Sequence, residues 1–376
     1  MNPTPAASPD AAPSSASSRR RLQAARALPA PDRVLVKAVN WLGDLVMSLP
    51  ALRALRAAYP RAWLAVLVKQ ELAGFYAGSR WIDELLPYRL RRGLAGLADR
   101  RKVVREIRER RFDLAVIFPN SFQSALWPML ARIPARVGFS RDARGLLLTH
   151  KATPARAILE GHQVHYYLHL LRETLNIPGD PSACRPEVDA GRRKRMAKWL
   201  AEHRRRPGGK LVALAAGAAY GPAKEWPVGH FAALVDLLAD RLNAECVLTG
   251  AAGERARSQE VAAASRQGAL VAAGETDVAE LLALLSLCDA FAGNDSGAMH
   301  AAGALGLPTV GIFGSTRADR TGPLGPRTRV LYRPLPCSPC LARTCRRGDY
   351  ECLKQIRPEE VFAALTECMA GLQRGR

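Results

Sequence analysis

Short apolar runs alternate with stretches of helical periodicity along most of the chain. Val34-Leu-Val-Lys-Ala-Val39 reads as a buried strand, and Gly43 marks a turn. From Asp44 to Tyr59 the apolar positions Leu45, Leu49, Leu52 and Leu55 recur with a helical period. The same rhythm predicts a strand over 63–68, helices over 71–77 and 97–110, and a strand over 114–118. A helix over 122–131, a short strand over 136–139 and a helix over 162–175 follow. A second series then begins, with strands over 211–215, 246–249, 290–293, 309–313 and 330–333. Its helices are predicted over 228–241, 254–266, 278–286, 298–305 and 358–372. Strands alternating with helices in this way predict a parallel α/β sheet in each half.

The pattern divides the chain into a tail over 1–31, a first domain over 32–180 and an interdomain connection over 181–209. A second domain follows over 210–357, with a terminal helix over 358–376. The tail is built of Ala, Pro, Ser and Arg with few large apolar residues, and disorder is expected there. Each domain opens with strand, glycine turn and helix. Ligands in wound sheets bind at the carboxyl ends of the strands. Two such domains facing each other therefore predict a cleft between Gly43–Asp44 and Gly293–His300.

Composition narrows the partners. No apolar run approaches the ~20 residues of a membrane span, and no signal-peptide core is evident. An intracellular, cytoplasmic protein is expected. The formal net charge of +21 favours polyanionic partners. Basic residues gather between Arg89 and Arg111 and between Arg192 and Lys210. They are not interleaved with aromatic residues as in single-strand binders. No nucleic-acid partner is expected, and the anionic inner-membrane surface fits better. A solvated helix face is the plain alternative. Of eight cysteines, Cys337, Cys340, Cys345 and Cys352 cluster. Their spacing allows structural zinc, a disulfide or free thiols.

The segment Gly293-Asn-Asp-Ser-Gly-Ala-Met-His300 carries the most chemistry. It leads from a strand into a helix, where unpaired backbone N–H groups and the helix dipole favour a phosphate. Ser296, Gly297 and Ala298 would supply those amides, while Asp295 and His300 add an acceptor and a candidate cation. An ordinary helix cap by Asn294, Asp295 or Ser296 is the plain alternative. Lys224, in the glycine-containing loop Gly217-Ala-Ala-Tyr-Gly-Pro-Ala-Lys224-Glu-Trp-Pro227, offers a cation to a leaving diphosphate. Asp44, beside Gly43, is placed to take a proton from a hydroxyl across the cleft. Arg136, Arg141 and Arg144 follow or lie in a strand and could meet acceptor anions; exposed charges serving stability are the alternative.

These segments, in order, resemble the family 9 glycosyltransferases, the bacterial lipopolysaccharide heptosyltransferases, and most closely their heptosyltransferase II branch. The resemblance runs from about Arg33 to Leu372. It rests on Asn40-Trp-Leu-Gly-Asp44-(x)5-Pro50-Ala-Leu, the Gly217–Pro227 loop, Gly274-Glu-Thr276, and Gly293–His300 with Gly311-Ile-Phe-Gly314. It implies a GT-B fold, two Rossmann-like domains across a cleft, with the acceptor on the first and ADP-heptose on the second. It further implies inverting transfer to a lipid A-linked core oligosaccharide with no catalytic metal and no required cofactor; the chain has no Asp-x-Asp. By resemblance Asp44 is the general base and Lys224 the diphosphate lysine. Asp295 would bind sugar hydroxyls, Thr276 adenine and Glu254 the ribose. Gly43 and the three arginines would face the acceptor. The competing functions are another nucleotide-sugar transferase or epimerase, and a non-catalytic basic module. A dinucleotide oxidoreductase is disfavoured, because neither opening strand is followed by Gly-x-Gly-x-x-Gly.

Overall fold

The computed structural model describes residues 29–371. Most of the 1–31 tail and the last five residues of the terminal segment lie outside that range. Two six-stranded sheets, parallel throughout, form the frame. The first contains β1 (Arg33–Lys37), β2 (Trp63–Lys69), β3 (Glu84–Tyr88), β4 (Leu114–Ile117), β5 (Ala135–Phe139) and β6 (His150–Ala152) in the order β3-β2-β1-β4-β5-β6. The second contains β7 (Lys210–Ala215), β8 (Ala244–Leu248), β9 (Leu270–Val271), β10 (Ala290–Asn294), β11 (Thr309–Phe313) and β12 (Thr328–Tyr332) in the order β12-β11-β10-β7-β8-β9. The two sheets share one topology, and each reverses direction between its first and fourth strands. Chain crossings diverge at that switch point, so the strand ends there open a crevice.

Alternate residues of each strand serve opposite layers, which is why both sheets read as nearly continuous apolar runs. In β1, Leu35 joins Val103, Ile107 and Trp127 of the helices Leu94–Glu109 and Phe122–Leu130. Its neighbours Val34 and Val36 face the opposite way, toward Leu45, Leu49 and Leu52 of helix Leu42–Ala58. In β7, Val212 and Leu214 pack with helix Val228–Leu242 and with Val361 and Leu365 of the terminal helix Pro358–Met369. Leu211, Ala213 and Ala215 belong instead to the same core as Val34 and Val36. One apolar layer therefore runs from the first sheet into the second.

The basic segment before β7 contains a helix, Ala190–His203, capped by Asp189, whose carboxylate accepts from Arg192 N at 2.8 Å. Its Met196 and Leu200 are buried in the shared core. Arg192 and Arg195 reach Glu280 at 2.9 and 3.0 Å, tying it to helix Val278–Leu285. Among the described residues no helix is long and apolar enough to cross a membrane.

Candidate active site

The site residues gather at the switch points. β1 runs into helix Leu42–Ala58, in which Asp44 is the third residue, not its cap. β10 runs into helix Gly297–Leu305, capped by Ser296, whose Oγ accepts from Met299 N at 3.4 Å. The amides of Gly297 and Ala298 stand in its first turn, where helix geometry supplies no carbonyl partner. The two helices meet at their first turns. A Cβ on Gly43 would lie 2.6 Å from His300 Cδ2, and one on Gly297 would lie 2.7 Å from Leu42 Cβ. Any larger residue at Gly43 would wedge apart the two domains where the chemistry must occur.

Asp295 is almost fully buried. Its Oδ2 accepts from Lys224 Nζ at 2.5 Å and from Thr316 Oγ1 at 2.6 Å, and His300 Nε2 lies 3.9 Å from Oδ1. Burial, with Lys224 and His162 nearby, pushes the His300 imidazole down to about 4, against the pull of Asp295. His300 is therefore neutral at pH 7, which corrects its reading as a cation. Its Nδ1 is buried with no hydrogen-bond partner. Across the helix junction, burial raises the Asp44 carboxyl to about 6. The hydroxyl of Tyr167, donating to Oδ1 at 3.3 Å, and the charge of Lys224 oppose that rise, while Asp295 adds to it. A carboxylate so placed holds a proton more firmly than one in water yet is ionised at neutral pH, as a base requires.

The loop carrying Lys224 is held at both ends. Asn294 accepts from Trp226 N at 3.0 Å and donates to Ala216 O at 2.7 Å. Arg257 donates to Ala216 O and Trp226 O at 2.8 and 2.7 Å. Outside it lies the cysteine segment. Tyr220 Oη donates to Leu341 O at 2.7 Å, Ala223 N donates to Arg343 O at 3.0 Å, and Arg343 and Lys224 flank the Tyr220 ring. Gly221, at φ 143°, passes so close that a Cβ would lie 2.5 Å from Arg343 O. The segment thus braces the Lys224 loop. Its four cysteines are free thiols, with Cys337 exposed and Cys340, Cys345 and Cys352 half-buried. Among the described residues no three His, Cys, Asp or Glu side chains converge as a metal site.

The remaining expectations fare unevenly. Glu254 packs against Gly217 and Gly250 and accepts from Ala251 N at 2.7 Å, and burial raises its carboxyl. Thr276 stands half-buried just before the cap of helix Val278–Leu285. Glu254 lies beyond the carboxyl end of β8 and Thr276 beyond that of β9, in the second sheet. Arg144 does not face an acceptor. It is fully buried, donating to Phe139 O at 2.8 Å, to Pro119 O and to Ser124 Oγ at 3.1 Å. Arg136 likewise donates to Leu147 O at 2.7 Å and Ile133 O at 2.5 Å. Both guanidiniums are held by carbonyls that need donors, so neither is presented to a ligand. Arg141 is exposed and lies against the Tyr166 hydroxyl. Tyr167 and Thr316 were not singled out by sequence. Thr316 follows the Gly311–Gly314 strand end, where a site residue is to be looked for, whereas Tyr167 reads only as core.

Two wound domains, one presenting a buried carboxylate and the other a lysine beside a helix start, make an arrangement suited to a group transferase. The comparisons agree. A model of glycosyltransferase family 9 (heptosyltransferase) matches residues 100–351. Lipopolysaccharide heptosyltransferase 2 of Salmonella typhimurium is 31% identical over 89% of this chain and 97% of its own. Lipooligosaccharide heptosyltransferase 2 of Haemophilus ducreyi is 28% identical over 90% and 99%. The structure of E. coli ADP-heptose lipopolysaccharide heptosyltransferase II superposes with a TM-score of 0.77 at 28% identity, covering 90% of this chain and 98% of that one. The chain belongs to glycosyltransferase family 9; it is a glycosyltransferase of the GT-B fold.

Proposed function

We propose that this enzyme transfers heptose from ADP-heptose to the inner core of lipopolysaccharide, with inversion and without a catalytic metal. The observation that carries the reading is the meeting of Asp44 with the Lys224–Asp295 pair across the two abutting helix starts. Asp44 takes the proton of the acceptor hydroxyl as its oxygen bonds to the anomeric carbon. The bond from that carbon to the diphosphate breaks on the opposite side, and ADP departs with the electron pair. Lys224 and the amides of Gly297 and Ala298 balance the charge that develops on the departing phosphate. Asp295 holds Lys224 in place and offers a carboxylate to sugar hydroxyls, while neutral His300 fills the junction.

The first domain supports attachment to the cytoplasmic face of an anionic membrane. Leu94 and Leu97 are exposed at the start of helix Leu94–Glu109. Arg91, Arg92, Arg101, Lys102, Arg105 and Arg108 are exposed along the same segment. Basic side chains beside exposed apolar ones suit a surface of anionic lipid, each charge contributing about 1 kcal/mol. Sedimentation with vesicles containing anionic lipid tests this; recovery equal to that with neutral vesicles would refute it.

Calorimetric titration with ADP and UDP in the presence of EDTA tests the donor assignment. Binding of ADP but not UDP, weakened at least tenfold in Lys224→Ala, is the expected result. A preference for UDP would remove heptose as the donor.

A further inference from the structure

The cysteine segment takes no part in the chemistry above, yet its backbone supports both groups that donate to Asp295. On one side Ser338 Oγ donates to Gly314 O at 2.6 Å, and Leu341 N donates to Ser315 O at 2.7 Å. The next residue is Thr316, whose hydroxyl donates to Asp295 Oδ2. On the other side Leu341 O accepts from Tyr220 Oη and Arg343 O accepts from Ala223 N. The next residue there is Lys224, which donates to the same carboxylate oxygen. The fit is close: a Cβ on Gly314 would lie 3.1 Å from Cys352 Sγ, and one on Gly221 would lie 2.5 Å from Arg343 O. A shift of the backbone between Ser338 and Arg343 is therefore passed to Thr316 and Lys224 together.

The thiols of the chain differ in access. Cys184, Cys246 and Cys368 are buried and Cys288 is half-buried. Burial pushes all four of these thiols up, which makes them poor nucleophiles. Among the described residues, which include all eight cysteines, Cys337 alone is exposed. Its thiol lies against the guanidinium of Arg347, which Asp349 holds at 2.7 Å. Reactive cysteines occupy such accessible positions beside a cation. Cys340 follows at the Cys-x-x-Cys spacing of redox dithiols. The other two thiols are near: Cys352 is pushed up to about 11 by burial and by Cys345, Cys337 and Cys340. Cys345 Sγ in turn donates to Asp349 Oδ1 at 3.7 Å.

We propose that Cys337 and Cys340 form a thiol–disulfide switch, closed by hydrogen peroxide and opened by a dithiol reductant, and that closing it weakens binding of the donor nucleotide. The sulfur of Cys337 attacks one peroxide oxygen and the O–O bond breaks. The departing hydroxide takes the thiol proton and leaves as water, and Cys337 becomes a sulfenic acid. The sulfur of Cys340 then attacks that sulfur. The S–O bond breaks, and a second water leaves with the proton of Cys340. Two thiols are oxidised to one disulfide while one peroxide is reduced to two waters. The new bond draws in the ends of the turn that Ser338 and Leu341 hold against Gly314 and Ser315, and Thr316 and Lys224 lose their alignment on Asp295. The effect on donor binding rests on the transferase reading above.

The test uses the full-length enzyme, reduced and then freed of reductant. It is treated with hydrogen peroxide and afterwards with dithiothreitol. Free thiols are titrated, the peptide containing Cys337 and Cys340 is weighed by mass spectrometry, and ADP binding is measured by calorimetry. Peroxide is expected to remove two hydrogen atoms from that peptide. ADP binding should weaken by roughly tenfold, as when one charge-assisted contact is displaced, and dithiothreitol should restore it. Cys337→Ser changes an exposed side chain outside the reaction centre; it should bind ADP as reduced wild type does and ignore peroxide. A disulfide that leaves ADP affinity unchanged, or an equal loss of affinity in Cys337→Ser, overturns the switch and leaves the transferase reading intact. So does metal analysis showing stoichiometric zinc that shields Cys337 from peroxide. Failure of reduced wild type to bind ADP overturns the donor reading and this proposal with it.

Discussion

Replacing Asp44 by Asn separates the contribution of this group to catalysis from its effect on stability, and the two effects have opposite signs. The Asn side chain keeps the shape and the acceptor for Tyr167 Oη but cannot take a proton. Loss of a general base costs roughly 10²–10⁴ in rate. The stability effect follows from the carboxyl's rise from 3.8 to about 6. The native state binds this proton more tightly than the unfolded chain. Wild-type stability is therefore highest below the unfolded value and falls as pH rises from about 4; the loss is complete above about 6. Its size is about 3 kcal/mol. For a chain of this length that corresponds to roughly 4 °C in melting temperature. Asp44→Asn should therefore melt several degrees above wild type at pH 8, with the curves converging toward pH 4, while its kcat falls by orders of magnitude. Scanning calorimetry at both pH values, beside single-turnover kinetics, checks both halves. A variant equally stable at both pH values, or one retaining a tenth of the activity, would refute the reasoning.

Wild-type kcat/KM should fall with one proton as pH drops through about 6, the value for Asp44, and a profile flat down to pH 5 would deny Asp44 its role. Gly43→Ala puts a methyl against His300; a cost of about 1–3 kcal/mol is expected. The double variant Gly43→Ala/His300→Ala should be less destabilised than the two single changes summed, as measured by chemical denaturation. Lys224→Ala leaves Asp295 buried without its cation, so the apo protein should lose about 3–5 kcal/mol, whereas Lys224→Arg should lose much less. Arg144→Met should lower the melting temperature markedly, because it strips donors from Phe139 O and Pro119 O, and should do so with little change in kcat.

Long, strongly periodic elements were legible in the sequence, and so was the alternation that makes both sheets parallel. The strands that escaped notice are all short or at edges. Glu84–Tyr88 contains Pro87, which argues against a ladder position, while His150–Ala152 and Leu270–Val271 are too short to show any period. The helix Ala190–His203 was hidden in a basic run, since only Met196 and Leu200 carry its apolar stripe. At the site, residues at strand ends announced themselves through glycine turns and helix starts. Tyr167 did not, because a core tyrosine and one aimed at a carboxylate look alike in a helical stripe. Arg144 was misread because arginine is ordinarily exposed; only the fold brings together the carbonyls that bury it. Spacing left the state of the cysteines open, and only the fold shows their segment bracing the Lys224 loop through Tyr220, Leu341 and Arg343.

The central claim is tested most directly by one reaction. Purified enzyme is incubated with ADP-heptose and heptose-deficient core acceptor in EDTA, and the product is examined by mass spectrometry and NMR. The account predicts gain of one heptose with the anomeric configuration inverted, formed at least about a hundredfold more slowly with Asp44→Asn. Transfer with retention, or turnover only after a divalent metal is restored, would contradict it.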